Sequence, residues 1–237
     1  MARLPRLVIP DQPLHIMHRG NNRQDIFNTE DDLVRIKEDI EHGLKKSGCS
    51  LHAYVIMSNH LHLLVTPESK RELVFFMQAM ANRYVRYYNA LHKRTGTIWE
   101  GRYKSCLVDS DSYLFSLYKY IEMNPVNANM VEDIAEYQWS SYAYNALGKP
   151  DKLITEHSLY TKLGKTNDLR CNRYKEIFNR LDISQQQKKI TKATLAGEVY
   201  GSERFHYKIS QLVNRVTRLG SHGGDRKSEG YKNNQAG

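Results

Sequence analysis

Two hydrophobic periods alternate along the first 125 residues, and the alternation predicts the order of elements. Residues 13–19 repeat every second position, with Leu14, Ile16 and His18 on one face of a short strand and His15, Met17 and Arg19 on the other. A helical pattern then fills 29–46. Thr29 stands at an N-cap position with Asp32 three residues on, Leu33, Ile36 or Lys37, Ile40 and Leu44 make the stripe, and Gly48 follows the last turn. Residues 51–65 carry two β-prone runs around Ser58-Asn59, a short-hairpin signal, and Pro67 closes the pair. A second helix is expected over 70–92, with Leu73, Phe76, Met77, Met80, Tyr84, Tyr88 and Leu91 at core spacing. Residues 97–108 read as extended. Asp109-Ser110-Asp111 offers caps for a third helix, which Pro125 is expected to stop at Asn124. The resulting order, β-α-β-β-α-β-α, predicts an α+β fold with helices packed on an antiparallel sheet.

Composition adds a partner and a compartment. The chain has 237 residues and a formal charge of +9, which suits a polyanion. Its three cysteines, Cys49, Cys106 and Cys171, form no CxxC pair, which argues against a disulfide framework or a thiolate zinc site and fits a reducing compartment. No apolar run approaches the length of a membrane span, and the N-terminus lacks an apolar leader segment, so the chain reads as soluble and cytoplasmic. Gly148-Lys149-Pro150 marks a boundary, after which helical patterns near 156–180 and 185–218 form a C-terminal extension. The glycine-, lysine- and asparagine-rich residues 220–237 are expected to be disordered.

Chemistry concentrates at three places. On the second strand of the hairpin, His60 and His62 share one face with Leu64, while Leu61, Leu63 and Val65 take the other. Two imidazoles so placed can converge on a divalent metal, although by itself such a pair reads first as surface or hydrogen-bonding histidines. On the third helix, Tyr113, Ser116, Tyr120 and Asn124 fall on one face, opposite the stripe Leu114, Leu117, Tyr118 and Ile121. Tyr120 and Asn124 lie one turn apart. A tyrosine oxygen can act as a covalent nucleophile and an amide oxygen can ligate a hard cation, though spacing alone equally describes a packed tyrosine. Between Ala81 and Cys106, Arg83, Arg86, Lys93, Arg94, Arg102 and Lys104 face one acid, Glu100, with Tyr84, Tyr87, Tyr88, Trp99 and Tyr103 interleaved. Cations for phosphates and rings for unpaired bases suit single-stranded nucleic acid. From this composition, Arg83, Arg86, Arg102 and Lys104 are expected to hold the DNA backbone, and Tyr103 or Trp99 to stack on bases.

Taken together, His60-Leu61-His62, Trp99-Glu100-Gly101-Arg102-Tyr103-Lys104-Ser105 and Tyr120-Ile121-Glu122-Met123-Asn124-Pro125-Val126 resemble the single-tyrosine HUH transposases. The turn Arg19-Gly20-Asn21-Asn22-Arg23 and the tetrad Trp139-Ser140-Ser141-Tyr142 are similar to the branch called REP-associated tyrosine transposases. The resemblance spans residues 8–148, and Gly201-Ser202-Glu203-Arg204-Phe205 resembles the extension of longer members over 150–219. It implies a ferredoxin-like nuclease domain acting on single-stranded, hairpin-forming DNA as a monomer or homodimer. By the same resemblance His60 and His62 are metal ligands for Mg²⁺ or Mn²⁺, Tyr120 the nucleophile of a 5′-phosphotyrosine intermediate, and Asn124 the third ligand. Two other readings stand beside it. One is a non-catalytic hairpin DNA or RNA binder that keeps the fold. The other is a structural zinc site drawing on His60, His62 and one of His15, His18 or His52.

Overall fold

The computed structural model describes residues 6–213 together with 217 and 218, so the expected disorder of 220–237 lies outside the described residues. Strands β1 (Leu14–Arg19), β2 (Cys49–Ile56), β3 (His60–Pro67) and β4 (Lys104–Val108) and helices α1 (Glu30–Lys45) and α2 (Lys70–Leu91) form the unit β1-α1-β2-β3-α2-β4. The strands lie in the order β2-β3-β1-β4 with antiparallel neighbours, which is the ferredoxin-like arrangement. Local sequence accounts for the ends of these elements. Thr29 and Asp32 make the reciprocal capping box at the start of α1, and Ser69 caps α2 through the Glu72 backbone N–H. Ser58 and Asn59 sit at the centre of the β2–β3 turn, across which the Met57 N–H donates to the His60 carbonyl at 2.8 Å.

Alternation along the strands divides the core in two. Leu14 and Ile16 of β1 and Leu61, Leu63 and Val65 of β3 pack with α1 and α2 on one side of the sheet. Ala53, Val55, Leu64, Cys106 and Val108 pack on the other, against α3 (Ser110–Glu122) and the C-terminal helices. His15, His60 and His62 therefore project towards α3, because they alternate with the residues facing α1 and α2.

Two expectations are corrected. Pro125 does not stop the third helix. α3 ends at Glu122, and Pro125 opens a further turn, α4 (Asn124–Asn127), where its missing N–H costs nothing. Only 104–108 of the expected extended segment is strand. Residues 97–103 form a loop docked on the end of β1, with the Asn21 N–H donating to Ile98 and the Glu100 N–H to Arg19. After α5 (Tyr142–Asn145) the chain runs Leu153 into the first core and continues through α6 (Ser158–Thr161), α7 (Asn167–Arg180), α8 (Ser184–Ala196) and α9 (Glu203–Val213). Between α8 and α9, β5 (Val199–Tyr200) joins the sheet parallel to β4. Sequence periodicity had no means of finding a two-residue strand.

Polar contacts between distant motifs fix the layers. The buried Glu122 carboxylate at the end of α3 accepts from the Ser141 hydroxyl (2.6 Å), the Asn145 amide (2.8 Å) and the Tyr174 hydroxyl (2.6 Å). The same Ser141 hydroxyl accepts the Tyr54 N–H at 3.0 Å, so the tetrad around Trp139 joins α3 to β2. Lys119 donates to the carbonyls of Phe178 and Leu181 (2.6 and 2.8 Å), a cation placed on the exposed carbonyls at the C-terminus of α7.

Candidate active site

The site is built where β1, β3, α3 and α8 meet. Cross-strand pairing sets Met17 opposite His62 and Arg19 opposite His60. The His60 and His62 rings lie 4.9 Å apart, and the Tyr120 ring stands edge-on to His62 at 5.7 Å and to His15 at 5.5 Å. Both expected histidines and the expected tyrosine thus converge. Asn124 is near by sequence and shares a cleft with Tyr120. Its Nδ2 donates to the carbonyls of Tyr120 (2.7 Å) and Ile121 (3.1 Å), which leaves Oδ1 without a hydrogen bond among the described residues.

Hydrogen bonds define which nitrogens carry lone pairs. Thr194 of α8 donates its hydroxyl proton to the Ile190 carbonyl at 2.8 Å. It therefore accepts from His15 Nδ1, 2.7 Å away, so His15 Nε2 is unprotonated and accepts in turn from His62 Nδ1 at 2.9 Å. This chain of donors leaves the lone pair of His62 Nε2 without a partner among the described residues. His60 Nδ1 lies 2.6 Å from Asn59 Oδ1, an amide oxygen that can only accept, so its Nε2 lone pair is without one among them as well. Burial holds both imidazoles neutral. It lowers His60 to about 4, helped by the Arg19 guanidinium, lowers His62 well below the usual range, and lowers His15 to about 3.

His15 is thus a partner of His62 rather than a third ligand, and His18 and His52 point elsewhere. His18 stacks on Trp99 at 4.0 Å, and His52 bonds Thr155 and Thr66. Among the described residues no group of three or more His, Cys, Asp or Glu side chains is placed to hold a metal. Two neutral imidazoles with free Nε2 atoms do fit a divalent cation, completed by an oxygen donor of another type such as Asn124 Oδ1.

The Tyr120 hydroxyl lies 3.1 Å from Thr191 Oγ1 of α8, and burial raises its pKa. A cleft of about 860 Å³ opens beside it, lined by Tyr120, Asn124, Asn127 and the α8 residues Gln187, Lys188, Thr191, Lys192, Leu195 and Ala196. The sequence carries no signal for Thr191, Thr194, Lys188 or Lys192, since nothing local in 184–196 says which strand end the helix covers.

The remaining DNA-contact candidates divide. Arg102 is exposed and Lys104 half-buried at the start of β4. Arg83 and Arg86 lie on α2, across the sheet from Tyr120, and Arg83 pairs with the buried Asp39 at 2.7 Å. Trp99 is 4% exposed, stacked on His18 and bonded through Nε1 to the Ala81 carbonyl. Tyr103 is 9% exposed beneath the Arg6 guanidinium, 3.7 Å from its ring centre. Both aromatics pack in the core cluster, Trp99 against His18 and Tyr103 under Arg6. Their motif has another use. Glu100 pairs with Arg19 at 2.7 Å and Trp99 bridges to Gly20, so the two loops brace the end of β1 beside His60. Gly20 is required there, because a Cβ would fall 2.4 Å from the Gln24 carbonyl oxygen.

Among the described residues no helix is long and apolar enough to cross a membrane. The chain is similar in fold to a solved REP-associated tyrosine transposase bound to a REP hairpin, with a TM-score of 0.54 and 16% identity over 67% of this chain and 96% of the other. A candidate transposase from Deinococcus radiodurans R1 aligns over 49% of this chain and 95% of its own at 17% identity, with a TM-score of 0.35. No curated protein matches. Residues 9–124, which hold His60, His62, Tyr120 and Asn124, match the family described as "Transposase IS200 like". Over that segment, just under half of the chain, the protein is similar to the IS200-like transposases.

Proposed function

We propose that the protein is a metal-dependent single-stranded DNA strand transferase acting on hairpin-forming repeats through Tyr120. The observation that carries this reading is the edge-on approach of the Tyr120 ring to His62, whose Nε2 lone pair its hydrogen bonds leave free. His60, His62 and Asn124 would hold Mg²⁺ or Mn²⁺, which when bound polarises the scissile phosphate and offsets charge on its oxygens. Tyr120 Oη attacks phosphorus and the P–O3′ bond breaks. The phenol proton is balanced by the one the departing 3′-oxygen takes up, leaving a 5′-phosphotyrosine and a free 3′-hydroxyl. Attack by another 3′-hydroxyl reverses the step and rejoins strands without an external energy source. The DNA partner is favoured by the +9 charge and by the hairpin bound to the similar REP-associated transposase.

The test is covalent capture. With Mn²⁺ and a labelled hairpin oligonucleotide carrying single-stranded flanks, an SDS-resistant complex is expected, and its loss on chelation. Tight binding with no capture would instead identify a non-catalytic hairpin binder.

His15 acts on the metal through His62. His15→Phe keeps a ring between the strands and removes the acceptor of His62 Nδ1–H. It is expected to weaken Mn²⁺ binding by roughly ten- to a hundred-fold in titration calorimetry. Wild-type affinity in this variant would mean that His15 does not orient His62.

A further inference from the structure

Helix α8 lies outside the segment that matches the family, yet it forms one wall of the cleft at the nucleophile. Gln187, Lys188, Thr191, Lys192 and Leu195 fall at helical spacing and all line that cleft. Lys188 and Lys192 are exposed, and neither forms an ion pair or hydrogen bond among the described residues. The lining contains no carboxylate. The opposite wall presents the amides of Asn124 and Asn127, and Thr191 stands 3.1 Å from the Tyr120 hydroxyl. Leu195, Ala196 and the Tyr120 ring supply apolar surface for a sugar or base.

We infer that α8 forms a subsite for the phosphodiester backbone of the DNA strand next to the bond that Tyr120 attacks, with Lys188 and Lys192 as its cations. The inference rests on the reading of Tyr120 as the nucleophile. A strand whose phosphate reaches the Tyr120 oxygen has neighbouring phosphates within one nucleotide on either side, and α8 is the helix that lines this cleft. Two flexible ammonium groups one turn apart on the helix suit a backbone whose sequence varies, because each binds as a point charge without demanding a fixed orientation.

The experiment compares three full-length proteins for binding to a fluorescent hairpin with single-stranded flanks, over a range of salt, together with covalent capture. Lys188→Ala/Lys192→Ala is expected to bind roughly 25-fold more weakly at 0.1 M salt, with the slope of log affinity against log salt reduced by about 1.4, the share of two single-strand phosphate contacts. The second variant, Lys70→Ala/Arg71→Ala, makes the same charge change at the exposed start of α2, on the other side of the sheet, and is expected to stay within twofold of wild type. An unchanged slope in the α8 variant overturns the subsite, as does an equal loss in both variants, which would show only bulk charge. Wild-type protein that captures DNA while the α8 variant matches it sinks the subsite alone. Wild-type protein that neither binds nor captures single strands sinks the reading of Tyr120 as well.

Discussion

Tyr120→Phe is expected to abolish the SDS-resistant DNA complex while leaving hairpin affinity within about twofold. In the proposed reaction the hydroxyl is the reacting atom, and among the described residues its hydrogen bond is to Thr191, at 3.1 Å. Removing it costs about 1 kcal/mol of stability, since Thr191 is exposed and keeps its bond to the Gln187 carbonyl. The phenylalanine ring keeps the edge-on contacts to His15 and His62, so the histidines stay in place. Neighbouring tyrosines cannot substitute. Tyr118 is 1% exposed in the core, and Tyr113 packs on Tyr200 with ring centres 4.9 Å apart. Binding by anisotropy and capture by denaturing gel separate the two effects, and an adduct surviving in the variant would place the nucleophile elsewhere.

Glu122→Ala should be the most damaging of the substitutions considered for folding. It strands three buried donors, on Ser141, Asn145 and Tyr174, at a cost of roughly 1–3 kcal/mol for each group left unpaired. A loss of at least about 3 kcal/mol corresponds to a Tm lower by roughly 6–12 °C in a protein of this size. Glu122→Gln should stay within about 1 kcal/mol, because both Ser141 and Asn145 donate to the one oxygen, Oε1, that the amide retains. Tyr174 can rotate its hydroxyl to accept from the new amide. Burial has already raised the Glu122 carboxyl to about 7, so a neutral side chain suits the position. Differential scanning calorimetry of both variants decides, and equal melting temperatures would mean that the three donors find water or each other.

How far the sequence could be read followed from the range of each interaction. The capping box of Thr29 and Asp32, the β2–β3 turn and the face carrying His60 and His62 depend on residues within four positions of one another, and all were legible. The convergence of those histidines with Tyr120 came from recognising ordered motifs, since strand and helix periodicity cannot say that α3 crosses β3. The setting of Trp99 lies beyond that range for a physical reason. An aromatic among basic residues looks the same whether its ring faces a base or His18, and only the loop closing on β1 decided it. The sheet likewise separates Arg83 and Arg86 from Tyr120, although they lie close to Arg102 in sequence. Thr194 could not be found at all, because its partner His15 is 179 positions away.

That separation bears on the order in which the protein acquires its chemistry during synthesis. A growing chain presents His60, His62 and Tyr120 well before Thr194 exists to fix the proton on His15. Closing a contact of such length also comes late in folding, because the loop it spans must be ordered first. Until α8 docks, β4 keeps an unpaired edge where β5 will sit, and the histidines lack their defined donor chain. In an unfinished molecule the residues of the site are therefore present before their alignment, which arrives with the last helices.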